Sequence, residues 1–338
     1  MKVVSLFAGC GGLDLGLIKA GHEVVYANDF DKDCVDTYKK NIGDHIHLDD
    51  INNLRGKDLP PHDIITGGFP CQGFSVANLY RKVSDERNHL YLQMSRVISE
   101  SLPKYFLAEN VPGILSLGGG EVVKVIDKEF SNIGKKQGHP GYDVKRTLIL
   151  SSNYGVPQNR KRVYWLGVSK AIDKDIRKKV ILSFPPPITN SKDSNNNSKT
   201  KKWLTLKDAI GDLPNNFSDS IPNHHGTKHK VKLNGYIGNR ILDWGKPGPT
   251  IVGRGGGTGG PVIPVHPNKK RRFSVRETAR IQSFPDEFIF EGSVSSQYRQ
   301  IGNAIPAELG CHLGIFLKNC EKGIFNLKEK QIDLNLDN

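Results

Sequence analysis

Two short segments bring together a soft nucleophile and a carboxylic acid. In GGFPCQGFS, residues 67–75, Cys71 follows an apolar, strand-like run at 64–66 and sits in a glycine-flanked turn. In Glu109-Asn110-Val111 the acid stands at the end of a second such run, 105–108. Reacting groups of an open α/β sheet gather beyond the carboxyl ends of its strands. A thiol and a carboxyl placed there suit covalent catalysis with acid assistance. A third segment, FAGCGGLD at 7–14, follows the first strand-like run and opens a helix. Its glycines let the main chain approach a ligand at the helix amino terminus. Asp14 occupies the third glycine position of a dinucleotide turn, where a carboxylate would repel a pyrophosphate. That favours a ligand with a cationic or zwitterionic part over NAD or FAD. Asp29, closing the second run, is placed to accept from ribose hydroxyls. Phe30 is placed to lie against an adenine ring, and Asp50-Ile51 to meet an adenine amino group. Helix capping or ordinary packing explains each of these singly as well.

The elements that must hold these groups are legible in outline. Strand-like runs at 3–7, 23–28, 63–66, 105–109, 145–150 and 162–168 alternate with amphipathic stretches, the signature of a parallel sheet covered by helices. A helix from about residue 90 carries Leu90, Met94, Val97, Ile98 and Leu102 on one face. From about residue 171 the pattern breaks. Three prolines (Pro185, Pro186, Pro187) lead into an Asn-, Ser- and Lys-rich stretch, 191–202, that reads as a solvated linker or loop. Helical order returns at Ser274, whose spacing to Glu277 fits a capping box, and Pro285 closes that helix. A last helix starts at Pro306 and runs to about residue 319.

The chain of 338 residues carries a net charge of +13. Residues 171–273 hold 19 Lys and Arg against 7 Asp and no Glu, so nearly all the excess lies there. A localised basic field of this kind meets a polyanion, with nucleic acid the first candidate. Five cysteines without a C-x-x-C pair argue against a disulfide framework or zinc cage and for a reducing cytosol. No metal is expected; His225 and His229 lack a helical pattern or a nearby carboxylate. No run of residues is apolar and long enough to span a membrane, and residues 1–7 are too short for a signal peptide.

In this order and at these spacings, LFAGCGG (6–12), NDFD (28–31), GGFPCQGFS, ENV, YGVPQNRKRVY (154–164), VRETARIQSFP (275–285) and QIGNAIP (300–306) resemble the DNA (cytosine-5)-methyltransferases of bacterial restriction–modification systems. The resemblance covers most of the chain. It implies an α/β, Rossmann-like S-adenosylmethionine-dependent domain made of 1–170 and 274–323, a small irregular target-recognition domain at 171–273, and a polar tail at 324–338. The prokaryotic cytosol, a monomer and double-stranded DNA as substrate follow from it, with a cognate restriction endonuclease acting separately as a further partner.

By the same resemblance Cys71 attacks carbon 6 of a flipped-out cytosine, Glu109 serves ring nitrogen 3, Arg162 holds O2 and Arg160 supports it. Phe7, Ala8, Gly9, Gly11, Gly12 and Leu13 are implied at the cofactor, with Asp29, Phe30, Asp50, Ile51, Pro70 and Leu90. Asn303, Ala304 and Ile305 are expected at its methionine end. Gln72, Ser75, Arg81, Gln158, Thr250, Ile251 and Arg254 are expected at DNA, and 269–272 at phosphates. The DNA sequence recognised is not legible. Methylation of tRNA on the same scaffold and a non-catalytic DNA-binding role are the alternatives, with a nicotinamide oxidoreductase a distant third.

Overall fold

Val3, Val4, Ile64 and Ile65 have no exposed surface, so the strands that carry them need helices on both faces. The computed structural model describes residues 1–70, 90–194, 199–227, 229–235, 237–253 and 263–325. Its strands are β1 (Lys2–Leu6), β2 (Glu23–Asp29), β3 (Ile46–Leu48), β4 (Ile64–Gly68), β5 (Tyr105–Asn110), β6 (Tyr142–Leu150), the two-residue β7 (Gln158–Asn159) and β8 (Lys161–Ser169). Three more two-residue strands follow: β9 (Asn190–Ser191), β10 (Lys201–Lys202) and β11 (Gly248–Pro249). Seven of these form one sheet in the order β3-β2-β1-β4-β5-β8-β6. The first five are parallel, but β8 runs antiparallel to both β5 and β6. The expected all-parallel sheet is thus corrected at one edge. Only residues 151–160 join β6 to β8, and parallel strands need a crossover of a dozen or more.

The helices are α1 (Gly12–Lys19), α2 (Lys32–Asn41), α3 (Leu90–Ser101), α4 (Glu121–Asn132), α5 (Lys174–Ser183), α6 (Leu206–Ile210), α7 (Val275–Ile281), α8 (Val294–Asn303) and α9 (Ala307–Glu321). One face of the sheet packs Val3, Leu107 and Tyr164 against Leu13 and Leu17 of α1 and Leu309 and Leu313 of α9. The other packs Val4, Phe106 and Trp165 against Met94 and Val97 of α3 and Ile126 and Phe130 of α4. α1 and α9 cross with their backbones touching. A Cβ on Gly16 would lie 2.3 Å from the Ala307 carbonyl oxygen and 2.5 Å from the Cys311 nitrogen. α9 is thereby fixed beside α1.

α5 lies on the sheet, with Val180 and Phe184 in the same core as Leu166 and Val168. The capping box of α7 forms as its spacing predicts. Arg271 and Arg272, expected at phosphates, turn inward. Arg271 grips Glu277 through two nitrogens at 2.6 and 2.7 Å, and Arg272 is buried on the carbonyls of Gly238 and Ile263 and the Asn239 side chain. Only Lys269 and Lys270 of that run face solvent. Among the described residues no helix is long and apolar enough to cross a membrane.

Candidate active site

The strand order reverses between β1 and β4, which opens a crevice at their carboxyl ends. β5 delivers Glu109 there, opposite Gly68 of β4 and Tyr164 of β8. A Cβ at Gly68 would stand 3.3 Å from Glu109 Oε2, so the bare glycine leaves the carboxylate its room. Arg162 brings Nε to 3.1 Å from Glu109 Oε1, with both side chains nearly buried. The two are in ionic contact but out of line for a hydrogen bond, and Oε1 has no donor among the described residues. Burial pushes the Glu109 carboxyl above its ordinary value, and the charges of Arg162 and then Arg160 pull partly back. Asn110, given no role by sequence reasoning, donates to the Phe69 carbonyl at 3.0 Å. Phe69 itself is buried against Phe130 and Trp165. The chain is therefore held at Phe69 and half-buried Pro70 immediately before Cys71. Cys71, Gln72, Ser75 and Arg81 lie outside the described residues, as does Arg254.

At the cofactor end Phe7, Gly9 and Gly11 all take positive φ (53°, 57° and 88°), bending the main chain outward between β1 and α1. Around Gly9 the space a side chain would take is open, with nothing within 4 Å. Asp29 holds this turn to β2: its oxygens accept from the Gly9 amide at 2.8 Å and the Asp31 amide at 2.9 Å. Each keeps a lone pair for a further donor. The ring of Phe30 is 71% exposed, more than any other large hydrophobic side chain among the described residues. Asp50 is exposed and caps its own turn through the Asn52 amide. Leu13, Ile51 and Ile305 are buried in the core, so only their main chain is free for a ligand. The Ile305 carbonyl closes on Gly12, whose Cβ would be 2.3 Å away, and Ala304 is 3.2 Å from the same point. Asn303 is exposed beside them, and Leu90 is half-buried at the head of α3. An open glycine turn, a carboxylate and a bare aromatic ring together fit a nucleoside.

Asp14 corrects the sequence reading. It faces inward, 1% exposed, with Oδ1 accepting from Ser5 Oγ at 2.8 Å and Oδ2 from the Tyr38 hydroxyl at 2.9 Å. A carboxylate turned into the core cannot repel a pyrophosphate in the crevice, so its charge says nothing about the ligand.

Gln158 and Ile251, expected at DNA, are buried and engaged internally. The Gln158 amide accepts from the Ile251 nitrogen at 3.0 Å and donates to Gln282 Oε1 at 2.7 Å. Gln282, which sequence reasoning passed over, continues to the carbonyls of Ile301 and Ala304 at 2.6 and 3.0 Å. Arg160 is equally committed, donating to the carbonyls of Ile251 and Gly302 at 2.9 Å each. Burial, then the like charge of Arg162, brings its pKa down to about 9. It braces the site from behind. The Thr250 hydroxyl is tied to the Asn159 carbonyl at 2.9 Å, and Thr250 lines a cleft of about 980 Å³ together with Arg162.

A family described as C-5 cytosine-specific DNA methylase matches residues 1–315. The chain belongs to that family. It is a DNA cytosine-C5 methyltransferase. It is 36% identical to the Type II methyltransferase M.NgoFVII of Neisseria gonorrhoeae over 98% of this chain and 91% of that one. It is 34% identical to the Type II methyltransferase M.MthTI of Methanothermobacter thermautotrophicus, over 96% and 99%. Among solved structures, a chain described as a DNA modification methyltransferase of an E. coli prophage superposes with TM-score 0.71 and 27% identity, covering 95% of this chain and 99% of that one. The S. pombe Dnmt2 methyltransferase shares the fold, with TM-score 0.65 at 19% identity over 94% and 98%.

Proposed function

We propose that this methyltransferase takes the methyl group of S-adenosylmethionine and places it on carbon 5 of a cytosine turned out of duplex DNA, as the modification enzyme of a Type II restriction–modification system. On this reading residues 1–170 and 274–323 bind the donor and carry the chemistry, while 171–273 read the DNA site. The observation that carries it is Glu109: a buried carboxyl with an oxygen that has no donor among the described residues, beside Arg162, which itself lines a cationic cleft. A raised pKa keeps this acid protonated where an ordinary glutamate has ionised.

Each residue has its own share of the work. The Cys71 thiolate bonds to carbon 6 of the base, and the displaced electron pair moves through the ring. Glu109 gives its proton to ring nitrogen 3 as charge develops, while Arg162 holds O2. Carbon 5 is then enamine-like. The donor's sulfonium supplies an electrophilic methyl group and leaves as the neutral thioether S-adenosylhomocysteine. The carbon-5 proton then passes to a water, Cys71 departs as its thiolate, and nitrogen 3 returns its proton to Glu109, so that the ring and the enzyme are both restored. Asp29 and Phe30 are suited to the ribose and adenine, and the main chain at Gly9 and Ala304 to the amino-acid end.

Bisulfite sequencing of plasmid DNA after expression maps the methylated cytosine. A duplex carrying 5-fluorocytosine at that position cannot lose its carbon-5 substituent as a proton, so with donor present it should remain bonded to the wild-type enzyme and not to Cys71→Ala. Absence of the adduct from the wild type, or full methylation by Cys71→Ala, would overturn the assignment.

A further inference from the structure

Lys192 and Lys202, from the stretch whose composition reads as a solvated linker, line the same cleft as Arg162 together with the adjoining Trp203. β9 and β10 pair there in parallel, Asn190 with Lys201 and Ser191 with Lys202. The Asn190 side chain donates to the Lys202 carbonyl at 2.8 Å, and the Trp203 indole Nε1 donates to Asn153 Oδ1 at 3.0 Å. This part of the cleft is thus anchored to the turn between β6 and β7. Lys192, Lys202 and Trp203 line the cleft with Lys161, Lys246 and Arg162, and among the described residues no carboxylate lines it. Among the described residues Lys161, Lys192 and Lys202 have no ion-pair partner, whereas Lys246 shares Asp243 at 3.4 Å. Lysines that hold no internal partner, ranged beside an indole already fixed at its nitrogen, make a surface for a nucleic-acid strand. The cations suit phosphates and the ring suits a base face.

We propose that Lys192, Lys202 and Trp203 hold the DNA outside the target cytosine: the two lysines contact phosphates, and Trp203 stacks on a base laid bare when the target leaves the helix. This rests on the reading of the cleft as the seat of DNA, and none of the three residues takes part in the chemistry assigned to Cys71, Glu109 and Arg162.

The test uses full-length enzyme and a short duplex carrying the mapped site, with binding measured over a salt series. Lys192→Ala/Lys202→Ala should reduce the slope of log affinity against log salt by about 0.9 for each phosphate that is no longer neutralised. Its kcat at saturating DNA and its KM for S-adenosylmethionine should stay unchanged. Trp203→Ala should weaken binding roughly tenfold, and Trp203→Phe, which keeps the ring and loses the bond to Asn153, should bind like wild type. Thermal unfolding of each variant reports on folding. An unchanged slope and affinity in the lysine variant overturns the phosphate contacts. Trp203→Phe falling as far as Trp203→Ala makes the indole a structural tie and overturns the stacking. In both cases intact methylation by the wild type leaves the catalytic reading standing. Wild-type enzyme that prefers RNA to this duplex, or binds neither, refutes that reading and this proposal with it.

Discussion

Asp14 opens α1 directly beneath the glycine turn, so its titration reports which way that turn is built. The carboxyl is 1% exposed, and burial raises its pKa from 3.8 to about 6 against the opposing hydrogen bonds from Ser5 and Tyr38. Ionising it in the folded protein therefore costs about 3 kcal/mol, at roughly 1.4 kcal/mol per pH unit. The folded pKa lies above the unfolded one. Its contribution to stability is thus present in full below 3.8 and is lost as pH rises through about 6. Asp14→Asn does not titrate and can still pair with both hydroxyls. Apart from a pH-independent offset, its stability relative to wild type should rise by about 3 kcal/mol between roughly pH 4 and pH 7.

Urea denaturation followed by tryptophan fluorescence across that interval measures the difference directly. His45 shares the Tyr38 hydroxyl at 3.0 Å, so both proteins are also compared in a His45→Gln background to remove its titration. Donor affinity of Asp14→Asn, by calorimetry, should match wild type because the carboxylate faces away from the crevice. A stability difference that stays flat with pH would refute the burial argument. A clear loss of donor affinity would put Asp14 at the ligand after all.

Glu109→Gln should lower kcat by about 10²- to 10⁴-fold, the range of a lost general acid, with thermal stability held. Because the raised pKa belongs to a group that acts protonated, wild-type kcat/KM should fall as pH rises through it; a pH profile without that limb would exclude the role. Gly16→Ala forces a methyl against the Ala307 carbonyl at 2.3 Å and should destabilise by about 1–3 kcal/mol in denaturant titration. Gln282→Ala removes the side-chain donor to the carbonyls of Ile301 and Ala304 and one of the two acceptors of the Gln158 amide, which keeps the Ile281 carbonyl at 3.2 Å. Each buried group left without a partner costs about 1–3 kcal/mol, and the KM for S-adenosylmethionine should rise because the 301–305 segment loosens.

What the sequence makes legible is what local physics decides. Val3, Val4, Ile64 and Ile65 read as strands because they are apolar without alternation, as a strand buried on both faces requires. Ser274 and Glu277 read as a helix start because both partners of the cap lie within one turn. Glu109 is legible because its motif ends a strand at the crevice. What holds the buried polar groups is not legible in the same way. Gln158, Arg160 and Asp14 are polar, and polarity by itself suggests a surface or a ligand. Ser5 stands only nine residues from Asp14, but the other partners lie far along the chain: the Ile251 main chain for Gln158 and Arg160, the Gly302 carbonyl for Arg160, and the Tyr38 hydroxyl for Asp14. No window of sequence contains those partners.

The same asymmetry explains the cleft. Lys192, Lys202 and Trp203 sit among asparagines and serines whose composition alone argues for solvent. The β9–β10 pairing and the Asn153 tether bring them to the cleft that Arg162 also lines. Chemistry can be read from residues that neighbour one another in the chain. On the proposed reading, where DNA would lie depends on contacts between the segment proposed to read DNA and the layer proposed to carry the chemistry, such as Gly253 against Asn303 and Val252 against Gly302. If those contacts set the distance between the base-reading residues and the acid, enlarging Gly302 should disturb site selection before it disturbs donor binding, since Val252 lies 2.3 Å from the added carbon and the glycine turn does not.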